Sequence, residues 1–180
     1  IAAHDLRNPI ISIRGFSELV LKDSANLTDD QKEFLSIIYT TSRGMLAMLN
    51  DLLDVSLIES GRMEISKRPE SLIKIIQDKV RVNSFQANRN QISIHQELFN
   101  VPIIEFDSQR IGQAVDNLIS NAIKFAPYGT NIYLILRQDE DIIKFSVRDE
   151  GPGIPQEEQH LLFSEFHRLS IRPTAGETST

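Results

Sequence analysis

Apolar positions fall at helical spacing from the first residues: Leu6, Ile10, Ile13, Val20 and Leu21 form one stripe on a helix running to about Lys22. Pro9 lies inside it, where the ring removes one backbone hydrogen bond and should loosen or kink the first turns. The polar stretch Asp23 to Asn26 breaks the pattern, and Thr28-Asp29-Asp30-Gln31 follows with the spacing of a capping box. Its two acids suit the positive end of a helix dipole, so a second helix is expected to start there. Phe34, Ile38, Met45, Leu49, Leu52 and Leu53 continue the stripe to about Ile58, and the helix ends near Gly61. Two amphipathic helices on a short loop make an all-α hairpin with more apolar face than it covers alone, and dimerisation into a four-helix bundle would cover it.

After Gly61 the period changes. Lys67-Arg68-Pro69 reads as linker, because the residue before a proline is pushed out of helix. The expected division is therefore a hairpin domain over residues 1–62, a linker over 63–69 and a second domain over 70–180. In the second domain, Leu72 to about Asn88 reads as helix, and Ile92 to His95 and Ile103 to Phe106 as strands. Asp107 or Ser108 can cap a helix to about Phe125, which the turn Pro127-Tyr128-Gly129 follows. Asn131 to Arg137 and Ile142 to Val147 suit antiparallel pairing across an acidic turn. The pattern is α+β, with helices against one face of a mixed sheet.

Composition adds exclusions. The chain has 180 residues, 41% of them hydrophobic and 24% charged, the balance of a soluble globular protein. A net charge of −6 argues against a surface built to neutralise nucleic-acid phosphates. The absence of cysteine excludes disulfides, thiolate metal sites and thiol nucleophiles, and fits a reducing compartment. No apolar run approaches the roughly 20 residues that span a bilayer. The chain begins in helical pattern without a cap and stops at Thr178-Ser179-Thr180 without a terminating element, so it reads as a portion of something longer.

Four segments carry candidate chemistry. In His4-Asp5-Leu6-Arg7-Asn8-Pro9, His4 and Asn8 share a helix face roughly opposite the apolar stripe, which aims the imidazole at solvent. A neutral imidazole can act as a nucleophile, and the Asp5 carboxylate is placed to hold the tautomer that frees the attacking nitrogen. A solvated histidine beside an acid is the commoner form of any lone His-Asp pair. In the segment Asp116 to Phe125, the buried stripe is expected to be Ile111, Val115, Leu118, Ile119 and Ala122, with Asn117, Asn121 and Lys124 aligned on its flank. Two amide oxygens suit Mg²⁺ and a lysine neutralises phosphate oxygens; a plain polar helix flank is the alternative.

The third segment is Asp149-Glu150-Gly151-Pro152-Gly153-Ile154-Pro155. Asp149 has the parity of Ile143, Phe145 and Val147, which places its carboxylate at the strand end on the buried side, where it needs a partner. The exocyclic amine of a purine would serve, and Gly151 and Gly153 would let the backbone approach a flat ring. A plain loop is the simpler reading of a lone Gly-x-Gly turn. The fourth segment, Leu161 to Arg168, can be an ordinary amphipathic helix, with Arg168 and Arg172 near any phosphate bound nearby.

The order of the four segments decides between these readings. The first resembles the H box of sensor histidine kinases, Asn117 to Phe125 their N box, Asp149 to Gly153 their G1 box and Phe163 to Phe166 their F box. The resemblance covers nearly the whole chain. It implies a dimeric bundle carrying the phospho-acceptor, joined to an ATP-binding α/β sandwich of the Bergerat type shared with gyrase and MutL. By that likeness His4 receives the γ-phosphoryl group of ATP and passes it to an aspartate in a response regulator receiver domain. Asp5 would act as general base, and Asn8 matches the position that orients water for regulator dephosphorylation. Asn117 and Asn121 would hold Mg²⁺, Lys124 would contact phosphate, Phe125 would lie against the adenine, and Asp149 would accept from the adenine amine beside Gly151 and Gly153. Phe166 and Arg168 fall in the F box, where the arginine matches less specifically.

Family members continue past the F box into a second glycine-rich segment, a helix and further strands, whereas this sequence ends where that segment should begin. A non-catalytic dimeric signalling scaffold is therefore the alternative to a kinase, and a bare ATPase of the gyrase kind a third reading that the histidine hairpin opposes. Such kinases usually carry their sensory region upstream, often with a membrane anchor, so a cytoplasmic location is expected for this portion, with membrane attachment only through other regions.

Overall fold

The computed structural model describes residues 2–162 and 170–171, with side chains from Asp5 onward. The chain divides into two compact units, Ile1–Glu64 and Ile65–Thr180.

The first unit is the expected hairpin: α1 (Ala2–Lys22), a 3₁₀ turn at Ser24–Asn26, and α2 (Asp29–Glu59). The capping box forms, with Gln31 N–H donating to Thr28 Oγ1 at 3.3 Å and Thr28 N–H donating to Gln31 Oε1 at 2.9 Å. At the far end Gly61 takes φ 64°, and its N–H and that of Arg62 close onto Ile58 O and Leu57 O. α1 runs unbroken through Pro9. The seam between the helices is lined by Ser17, Ser42 and Leu46, the buried residues of this unit among those described. The two serines satisfy their own hydroxyls on Arg14 O and Ile38 O, while Arg14 Nε is buried without a partner among the described residues. As expected of a hairpin with more apolar face than it covers alone, much of the stripe faces outward, Leu6 being 57% exposed, Phe34 63% and Leu52 58%, while Ile10, Leu21, Leu49 and Leu53 are half-buried.

The second unit contains β1 (Arg68–Glu70), α3 (Leu72–Arg89), β2 (Ser93–Leu98), β3 (Ile104–Phe106), α4 (Ser108–Phe125), β4 (Asn131–Asp139) and β5 (Ile142–Asp149), then a 3₁₀ segment Gln156–Leu161. Arg68-Pro69, expected as linker, is strand: β1 pairs antiparallel with β3, Arg68 opposite Phe106. A proline is tolerated there because the pair is a two-stranded sheet with outer edges. The main sheet has the order β2-β4-β5, with β2 parallel to β4 and β4 antiparallel to β5. Its alternation is clean, Ile132, Leu134 and Leu136 pointing inward at 0% exposure. They meet Ile76 and Val80 of α3 and Val115, Ile119 and Ile123 of α4 in one core.

Asp107 caps α4, its Oδ1 accepting from the N–H groups of Gln109 and Arg110 while its Oδ2 accepts from Ser66 N–H at 2.9 Å. These donors hold its carboxyl below the usual range, the Arg110 N–H being the largest cause. The buried face of α4 is rotated from the expected stripe. Val115, Ile119 and Ala122 are buried with Gly112 and Ile123, whereas Ile111 and Leu118 stay 38% and 48% exposed. The rotation follows from α3, which packs close enough that a Cβ on Gly112 would touch Lys79 Cε at 3.4 Å. No helix among the described residues is long and apolar enough to cross a membrane.

Candidate functional site

In the hairpin, His4, Asp5 and Asn8 lie in the first turns of α1, and Asp5 and Asn8 are exposed. The backbone places His4 one turn before Asn8. Asn8 O accepts from Ser12 Oγ at 3.1 Å, and Arg7 Nη2 donates to Asn50 Oδ1 of α2 at 2.8 Å, which fixes this end of α1 to its partner helix. The Arg7–Asn50 link was not foreseen, since the two residues stand 43 apart and neither belongs to an apolar stripe.

In the second unit, Asn117 and Asn121 are exposed and Lys124 is half-buried on α4. Asn121 and Lys124 line a cavity of about 220 Å³ together with Ser120 and Ile123 of α4 and Asn83, Gln86 and Asn90 from α3 and its C-terminal cap. Asn117 is not among the lining residues. The α3 side is held by Asn83, whose Nδ2 donates to Asp116 Oδ1 at 2.8 Å and to Lys79 O at 3.0 Å. Lys124 Nζ stands 5.5 Å from the centroid of the Phe125 ring. The segment that contributes the amides and the lysine is amphipathic because α4 buries its other side, and Asp107 starts that helix in the required phase.

Asp149 closes β5 but does not sit as expected. It shares its parity with the half-buried Ile143, Phe145 and Val147, yet it is itself exposed. The carboxylate stays in water at the strand end, which avoids the desolvation that a buried-side acid would suffer. Its Oδ1 accepts from Gly151 N–H at 2.8 Å, so one oxygen is fixed locally. Gly151 is required at that turn: a Cβ there would lie 2.6 Å from Asp149 Oδ1 and 3.0 Å from Phe125 O. That packing joins the end of β5 to the end of α4. Gly153 takes φ 69° and faces open space.

Behind this turn, Glu150 points to the other face. It accepts from Asn131 N–H at 3.1 Å, from Asn131 Nδ2 and from Tyr133 Oη at 3.3 Å. These bonds, led by the Asn131 N–H, keep its carboxyl below the usual range. His95 stacks on Tyr133 at 5.1 Å between ring centroids. Alternation alone could have suggested that Glu150 faces opposite to Asp149, but not that it would clamp the start of β4. Phe166, Arg168 and Arg172 lie outside the described residues.

Among the described residues, no group of three or more His, Cys, Asp or Glu side chains is placed to hold a metal ion. The available donors at α4 are neutral amide oxygens. They fit Mg²⁺ that keeps several waters and shares phosphate oxygens, and they do not fit an all-protein cage.

A helical hairpin with a histidine in its first turns, followed by an α/β unit with amides and a lysine on one helix and an Asp-x-Gly turn beside its end, defines the class of a histidine-kinase core. Residues 1–61 match the His Kinase A (phospho-acceptor) domain, and residues 106–179 match the histidine kinase-, DNA gyrase B- and HSP90-like ATPase. The chain belongs to the sensor histidine kinases. It is 35% identical over 183 residues to the circadian input-output histidine kinase CikA of Synechococcus elongatus, covering 98% of this chain and 24% of that protein. The chain spans about a quarter or less of the first curated relatives it matches. In fold it is similar to full-length ShkA in complex with AMPPNP, with a TM-score of 0.76, 23% identity, and coverage of 93% of this chain and 36% of that one. It is likewise similar to ThkA in complex with the response regulator protein TrrA, with a TM-score of 0.62, 24% identity, and coverage of 93% and 49%.

Proposed function

We propose that the whole protein uses ATP to phosphorylate His4 and passes that phosphoryl group to an aspartate of a response regulator. The observation that carries this reading is the pairing, in one chain, of a phospho-acceptor domain whose first helix bears His4 with an ATPase domain bearing Asn117, Asn121, Lys124 and Asp149. One ring nitrogen of His4 attacks the γ-phosphorus, the bond to ADP breaks, and Asp5 takes the proton from the other nitrogen. Asn8 orients water for removing phosphate from the regulator. Asn117 and Asn121 would hold Mg²⁺, which would supply charge neutralisation. Lys124 adds to it, Phe125 lies along the adenine, and Asp149 takes the adenine amine on the oxygen that Gly151 leaves unbonded. The outward apolar stripe of the hairpin supports a homodimer closed as a four-helix bundle.

Incubating the full-length protein with ATP labelled in the γ position should leave acid-labile phosphate on His4. Label retained by His4→Ala would overturn the reading. An Asn8→Ala protein should lose regulator dephosphorylation while keeping autophosphorylation, and the opposite order would remove the role given to Asn8.

A further inference from the structure

The cavity between α3 and α4 holds polar groups that none of the four motifs supplies. At about 220 Å³ it has room for a phosphate group and a few waters, each water taking roughly 30 Å³ in the liquid. Two of its lining residues are already committed: Asn83 Nδ2 serves Lys79 O and Asp116 Oδ1, and Ser120 Oγ donates to Asn117 O at 3.2 Å.

Asn90 is different. It caps α3, its N–H reaching back to Gln86 O and Ala87 O and its own carbonyl accepting from Gly129 N–H at 3.1 Å. The residue is only 8% exposed and lines the cavity, yet among the described residues its side-chain amide has no hydrogen-bond partner. The side-chain atom that is fully buried without a partner among the described residues is Arg14 Nε, so the Asn90 amide keeps its opening onto the cavity and can bond to what enters there. Among the described residues that line the cavity the charged side chain is the Lys124 ammonium, and the nearby Asp116 carboxylate is bonded to Asn83 Nδ2, so an anion is favoured. Asn121 and Lys124, which belong to the nucleotide reading above, line the same space.

We propose that Asn90 donates its side-chain amide to the terminal phosphate of the nucleotide, making α3 a second wall of the phosphate site. This rests on the nucleotide reading. On this proposal the cavity takes the γ-phosphoryl end, which ADP lacks, so Asn90 would distinguish the two nucleotides.

Calorimetry on the full-length protein tests it with Mg-ATP and Mg-ADP. Asn90→Ala should weaken ATP about tenfold, as expected for one hydrogen bond to a charged oxygen, and ADP by less than about twofold. Asn90→Asp should weaken ATP further, its carboxylate repelling the phosphate. Asn90→Ser keeps a small donor and should fall between wild type and alanine, and it reads the same selectivity if the alanine protein fails to fold. Asn88→Ala, on the exposed side of α3, should change neither affinity. Losses equal for ATP and ADP, or no loss in a protein that binds both, overturn the inference alone. A wild-type protein that binds neither nucleotide overturns the nucleotide reading and this inference with it.

Discussion

The hairpin and the sandwich solve the hydrophobic problem in opposite ways. Among the described residues the hairpin buries one hydrophobic side chain, Leu46, while Phe16, Leu19, Phe34 and Leu52 each remain more than half exposed. The sandwich encloses Ile76, Ile119, Ile123, Ile132, Leu134 and Leu136 almost completely. A unit with an open apolar stripe is built to be completed by a partner, and a unit with a closed core is built to hold a fixed site. Average composition hides this division, since both halves draw on the same residue types.

The comparison can be broken first at the closed core. Ile132→Ala should cost about 2–5 kcal/mol, measured by denaturant unfolding of the sandwich transition, with a midpoint independent of protein concentration. The hairpin transition should instead rise with concentration, because the proposed homodimer would cover its apolar stripe; a concentration-independent midpoint would contradict the partnered reading. Next in size is Gly151→Ala, where the new Cβ meets Asp149 Oδ1 and the Phe125 carbonyl. It should lower stability by about 1–3 kcal/mol and weaken nucleotide binding without altering the hairpin, read by thermal melting and calorimetry. Thr28→Ala removes one half of the capping box and should cost the hairpin about 1 kcal/mol, leaving the sandwich transition in place.

The smallest effect expected is that of pH. Asp107 and Glu150 both have carboxyls held below their ordinary range by backbone N–H donors, Arg110 and Asn131 respectively. A group with a lowered folded pKa contributes stability that is complete above its unfolded value and disappears as the pH falls through the folded one. The sandwich should therefore weaken below the ordinary carboxylate range. Glu150→Gln should flatten that dependence, read as the midpoint of urea unfolding against pH.

Most of the architecture was visible in the sequence, for reasons that are local. Thr28 and Asp107 announce helix starts, Gly61 a helix end, and the alternation of Ile132, Leu134 and Leu136 a half-buried strand. Residues that depend on a neighbouring element were misread. Ile111 and Leu118 fit a helical stripe, but the position of α3 rotates the buried face toward Gly112 and Ile123. Arg68-Pro69 looked like linker because its partner β3 lies well along the chain. The candidate chemistry on α4 was readable as a flank. The α3 wall opposite it was not, since Asn83 and Asn90 become visible only when the two helices pack. Asp149 had the right parity, and its exposure follows from its place at the end of the strand.

The division of labour between the two units is tested most directly by calorimetry with Mg-ATP on full-length His4→Ala and Asn121→Ala proteins, run beside the labelling assay. His4→Ala should bind nucleotide as wild type does and take up no phosphate, while Asn121→Ala should lose both. Loss of nucleotide binding in His4→Ala, or normal labelling in Asn121→Ala, would contradict it.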